Sequence, residues 1–154
     1  MNKRVNPHTM LCKRGAEFLK NAKPWFVRCN YVVTEFTSSC GEAPDIYGYR
    51  GASETVLVEV KVSRSDFFAD RRKWHRQNGN GIGSNRYYLC PSGLIKIEEL
   101  PEGWGLLYCN DKGKITIEKQ SEAFESRDYI DEMSVMYSII RRLAGKRQVF
   151  DFKK

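Results

Sequence analysis

Asp45, Glu59 and Lys61 are the residues of this chain whose types and spacing could do chemistry. Asp45 follows Pro44 at the head of a short strand pattern, Asp45-Ile46-Tyr47-Gly48-Tyr49, and Glu59 and Lys61 lie in the β-branched run Thr55-Val56-Leu57-Val58-Glu59-Val60-Lys61-Val62. Residues 50–54 between them have turn composition, so the two runs predict a hairpin. Side chains alternate along a strand, which puts Glu59 and Lys61 on one face and Val58, Val60 and Val62 on the other. A hairpin that brings Asp45 beside Glu59 makes two hard oxygen donors converge. Mg²⁺ or Mn²⁺ requires such donors, and an adjacent ammonium would hold a water or a phosphate oxygen.

An acid-x-Lys triplet is common in itself, and Asp151-Phe152-Lys153 has the same form without a strand before it. The triplet at 59–61 differs because it ends a strongly apolar strand, where charges cost free energy unless a metal, a counter-charge or water receives them. Its surroundings carry a family likeness. Ala43-Pro44-Asp45-Ile46, then Leu57-Val58-Glu59-Val60-Lys61-Val62-Ser63-Arg64-Ser65-Asp66-Phe67, resembles the PD-(D/E)XK nuclease superfamily. Within it the chain is most similar to the MmcB-like DNA-repair proteins, which share a Ser-Arg-x-Asp-Phe helix start after the acid-x-Lys strand and a later Lys-Trp, here Lys73-Trp74. The likeness continues more loosely through Arg86-Tyr87-Tyr88-Leu89-Cys90-Pro91, the stretch 100–106 and Lys114-Ile115, spanning about residues 31–118. Where such proteins continue the helix after Lys-Trp, this one enters the Asn/Gly-rich stretch 78–85, so substrate contacts made there in relatives do not transfer.

The resemblance implies an α/β fold with a restriction-endonuclease-like core, a central mixed β-sheet flanked by helices in αβββαβ order. It also implies that Asp45, Glu59 and the Val60 carbonyl hold Mg²⁺ or Mn²⁺. Lys61 would orient or help deprotonate the attacking water, or neutralise charge on the phosphorane. Glu35 on the first strand, or Glu17 on the first helix, would add an accessory carboxylate, and Glu35 matches the family pattern better. The implied activity is metal-dependent phosphodiester hydrolysis in DNA, by an endonuclease or a DNA-repair protein. The alternative is a catalytically inactive nucleic-acid-binding module on the same fold.

Charge agrees with a polyanionic partner. The chain carries +7 overall, with +6 in residues 1–30, +5 in residues 141–154 and −4 between them. Basic ends around an acidic middle suit a protein that grips DNA about a metal site, although charged termini also serve solubility. Arg64, Arg71, Arg72, Lys73 and Arg76, on or beside the second helix, are the candidate phosphate contacts. No apolar run approaches the ~20 residues of a membrane span, so the expected place is cytoplasmic, with no membrane partner. A homodimer stays open. Five widely spaced cysteines without a Cys-x-x-Cys pair argue against a zinc ribbon and a disulfide framework. His8 and His75 are isolated.

The length suits one domain, 1–154. Its elements begin with a basic helix over 8–23 and a strand over 31–37 that carries Glu35, and the hairpin follows. Ser63 caps a helix running to about Gln77. On that helix Asp66, Asp70, Lys73 and Gln77 form a polar stripe, with Phe67, Arg71 and Trp74 packing partly on the sheet. The loop 78–85 reads as mobile. Strands follow at 86–90, 105–109 and 114–118, with a turn at 110–113. A last helix over 127–144 has Ile130, Met133, Tyr137, Ile140 and Leu143 as its apolar face.

Overall fold

The computed structural model describes residues 5–35, 42–76 and 80–153. Six strands form one open mixed sheet in sequential order: β1 (Tyr31–Thr34), β2 (Ile46–Tyr49), β3 (Thr55–Val60), β4 (Asn85–Pro91), β5 (Gly105–Cys109) and β6 (Ile115–Lys119). Neighbouring strands are antiparallel from β1 to β3, parallel across β3–β4 and β4–β5, and antiparallel again at β5–β6. The helices are α1 (Pro7–Asn21), α2 (Arg64–Arg71) and α3 (Tyr129–Ala144). Apart from one 3-10 turn after α2, the first six elements run α–β–β–β–α–β, so α2 is the crossover that parallel β3 and β4 need.

Strand alternation sorts the core into two layers. Val56, Val58, Val60, Ile46 and Leu89 pack with Leu11, Cys12 and Leu19 of α1, whereas Leu57, Tyr47, Tyr88 and Leu106 pack with Phe67 of α2 and Val135 of α3. Asn6 caps α1 by accepting a hydrogen bond from the His8 amide at 2.9 Å, and Pro7 takes the first helical position, where no amide hydrogen is needed. Gly15 lets α1 lie close on the sheet, because a Cβ there would collide with Ile46 and Leu89. At the β5–β6 turn the Asn110 side chain accepts from the Lys112 and Lys114 amides, and Gly113 has φ +82°.

Four sequence expectations are corrected. First, α2 stops at Arg71 instead of reaching Gln77, and a 3-10 turn, Trp74–Arg76, follows. That turn swings Arg76 back onto the carboxylate of Asp70, so a buried ion pair overrides helix propensity. Second, Asp70, a member of the polar stripe, is therefore buried, and of Phe67, Arg71 and Trp74 only Phe67 packs inside. Third, the described part of the 78–85 loop is held down. Ile82 is fully buried, its amide donates to Glu42, the Gly83 amide donates to Glu132, and Ser84 exchanges hydrogen bonds with Thr55. Fourth, the apolar stripe of α3 faces outward, and Val135 and Ser138 are the residues it buries. Among the described residues no helix is long and apolar enough to cross a membrane.

Candidate active site at the strand ends

The β2–β3 register pairs Ile46 with Val58, and one further step sets Asp45 opposite Glu59. Asp45 is fastened there by its Oδ2, which accepts the Val60 amide hydrogen at 2.8 Å. Its Oδ1 lies 3.2 Å from His8 Nε2 on α1. Glu35 has φ +48°, so the chain turns sharply just beyond β1. Its amide donates to the Asp45 carbonyl at 2.8 Å, and its carboxylate accepts from Thr9 at 2.8 Å. Glu17 is not brought here. It sits further along α1, where Asn21 donates to it at 3.2 Å.

Glu59 and Lys61 share the face opposite Val58 and Val60, and both are buried. The Lys61 ammonium is 3.5 Å from Glu59 Oε2, 3.5 Å from Asp70 and 3.9 Å from Asp66. The other oxygen of Glu59 takes the Arg76 guanidinium at 2.9 Å. Arg76 also bonds Glu42, and it reaches both oxygens of Asp70, at 2.9 and 3.3 Å, while Tyr88 donates to Asp70 at 2.7 Å. One guanidinium thus serves three carboxylates, with the Trp104 ring 5.0 Å from it.

The electrostatics follow from that packing. Burial pushes the Glu59 carboxyl well above the usual range; Arg76 and Lys61 pull it down, and Asp45 and Asp70 push it further up. Asp70 goes the other way, because hydrogen bonds and charge from Arg76, with help from Lys61 and Lys73, outweigh its burial. Burial, then the charges of Asp45, Glu35 and Glu59, drives the Cys12 thiol up to about 12. His8, Cys12 and Asp45 offer atoms within 4.8 Å of one another. His8 spends Nδ1 on Cys12 at 3.7 Å and Nε2 on Asp45, so the ring bridges the two and does not face a common point.

The proposed phosphate contacts divide. Arg71 and Arg72 are exposed, and Lys73 extends from solvent to Asp70 at 2.9 Å. Arg64 is half-exposed and paired with Glu99. Arg76 is the correction: its side chain is 1% exposed inside the carboxylate cluster, where no phosphate can reach it. Sequence reasoning singled out neither Glu42 nor Tyr88 for the site, and it placed Asp70 only in the polar stripe of α2. The apolar run around Tyr88 carried no signal of a polar partner. An Asp70–Arg76 pair could not be foreseen while α2 was read as continuous, since six positions along a helix separate the two faces. A groove of about 840 Å³ lies elsewhere, between α1, β1 and α3.

No family model and no curated protein matches the chain. Among solved structures, it is similar to a protein of unknown function from Silicibacter pomeroyi. The TM-score is 0.65 and the identity 20%, over 96% of this chain and 99% of that one. That likeness establishes the fold, an α/β sheet with helices on both faces.

Proposed function

We propose that the protein is a Mg²⁺- or Mn²⁺-dependent DNA nuclease, or a DNA-repair protein built on a nuclease fold. The observation that carries this reading is the strand-end pairing of Asp45 with Glu59, locked by the Val60 amide on Asp45, with Lys61 beside Glu59. By type the donor set suits a hard divalent cation, since two carboxylates and the Val60 carbonyl are all oxygen ligands; an ion held by both carboxylates would take Asp45 Oδ1 from His8 or a Glu59 oxygen from Arg76 or Lys61. A bound ion would lower the pKa of its water and draw charge from the scissile phosphate. Around it, Val60 holds Asp45 in place through its amide. Arg76 and Lys61 offset part of the burial that raises the pKa of Glu59, and Lys61 would meet a water or a phosphate oxygen brought in beside Glu59. Glu35, tied to the Asp45 backbone, is the accessory acid this arrangement favours over Glu17.

One observation favours the second reading, a nucleic-acid-binding module without catalysis: both oxygens of Glu59 are already occupied by cationic side chains. Incubating the protein with duplex, branched and single-stranded DNA, with and without Mn²⁺, separates the two. Cleavage that needs Mn²⁺ and disappears in Lys61→Met, while that variant still binds DNA, supports the nuclease. Salt-sensitive DNA binding without cleavage at any Mn²⁺ concentration supports the binding module. Neither binding nor cleavage removes both.

A further inference from the structure

Helix α3 is inverted relative to an ordinary amphipathic helix. Its inner face touches the sheet through Val135, Ser138 and Ile139, and most of its large apolar side chains point away. Ile130, Met133, Tyr137 and Leu143 are 78%, 72%, 65% and 85% exposed, with Ile140 about half-exposed. Ile140 and Leu143 also line the groove shared with α1 and β1, whereas Ile130, Met133 and Tyr137 are open to solvent. Ile130, Met133, Tyr137, Ile140 and Ala144 recur at three- and four-residue intervals, the a/d spacing of a coiled-coil seam. Such a seam is wide enough for another helix and too regular for scattered surface residues.

We propose that this face is the contact between two copies of the chain, with the two α3 helices packed antiparallel about a twofold axis near Tyr137. Two observations point to a second copy in that orientation. The first is charge. At the start of α3, Glu125, Asp128 and Asp131 stand with Arg127 as the nearby base, whereas Arg141, Arg142, Lys146 and Arg147 follow at its end. Antiparallel packing sets the acidic end of each copy against the basic end of the other, and parallel packing would stack like ends together. The helix dipoles oppose in the same sense. The second is area. The outward stripe supplies five large apolar side chains, each about half-exposed or more, toward the ~800 Å² per partner of a stable interface. An isologous contact is self-complementary, so one stripe suffices for closure into a dimer.

The orientation makes a positional prediction. In an antiparallel pair centred on Tyr137, residue 130 of one copy lies beside residue 144 of the other, and the two copies of residue 130 are about 21 Å apart at 1.5 Å per residue. A disulfide needs Cα atoms within about 7 Å. The test is sedimentation velocity on the full chain from about 1 to 100 μM, with oxidative cross-linking of cysteine variants. The expected result is a concentration-dependent dimer that Met133→Glu with Ile140→Glu converts to monomer at unchanged circular dichroism. A mixture of Ile130→Cys and Ala144→Cys chains should cross-link, and Ile130→Cys alone should not exceed the unmodified protein. A monomer at every concentration, or a dimer indifferent to the double substitution, overturns the proposal. So does self-cross-linking of Ile130→Cys, which would mean parallel helices. None of these readouts depends on cleavage or DNA binding, so they stand or fall apart from the nuclease reading.

Discussion

Replacing Arg76 by alanine is the sharpest probe of the buried cluster. Arg76 bonds Glu42, Glu59 and Asp70 with its side chain almost wholly out of water, so the substitution leaves three buried carboxylates with Lys61 and Lys73 as the remaining nearby lysines. Removing one partner of a buried ionic network costs about 3–5 kcal/mol, and losing the contact with Trp104 adds about 0.5–2 kcal/mol. Against a total stability of about 5–15 kcal/mol this is a large fraction. At about 2–4 °C per kcal/mol for a chain of this size, Tm should fall by about 7–28 °C at neutral pH. Lys73→Ala, whose lysine is half-exposed, should shift Tm by no more than about 4 °C. Thermal melts followed by circular dichroism read both variants. Carboxylates stripped of their guanidinium should also attract a divalent cation more strongly, so Mn²⁺ should raise Tm more in Arg76→Ala than in the unmodified protein. An Arg76→Ala variant melting within about 2 °C of the parent would refute the cluster as described, and a drop in DNA affinity at unchanged Tm would return Arg76 to the surface.

Two further outcomes are expected. Arg71→Gln with Arg72→Gln should flatten the dependence of log K for duplex DNA on log salt by up to about 1.8, at ~0.9 per lost phosphate contact, irrespective of sequence; an unchanged slope in filter-binding titrations would put DNA on another face. Glu59 binds its proton more tightly folded than unfolded, so stability should decline as pH rises between its ordinary 4.5 and its raised value of about 8, whereas the contribution of Asp70, whose pKa is lowered, is lost as pH falls below the ordinary 3.8. A Tm-versus-pH profile should lose its decline between pH 4.5 and about 8 in Glu59→Gln, and an identical profile in the variant would show that Glu59 ionises normally.

The local part of the architecture was written in the chain. Alternation of Val56, Val58 and Val60 against Leu57 and Glu59 sorted the two faces of β3. The turn at 50–54 made β2 and β3 a hairpin, and Ser63 started α2, its hydroxyl accepting from the Asp66 amide. These are interactions among near neighbours, and residue type and spacing suffice to specify them. What joined Asp45 to His8, Glu59 to Arg76, and Asp70 to Tyr88 was tertiary packing. A buried carboxylate takes whichever donor the fold carries to it, and sequence distance does not limit that choice. The same reason broke α2 after Arg71, since satisfying Asp70 with Arg76 in the interior outweighed a few tenths of a kcal/mol of helix propensity per residue. The α3 stripe shows the limit most plainly. Its period fixed a helix with an apolar face, but periodicity has no direction, and only the sheet beneath Val135 decided that this face would look outward.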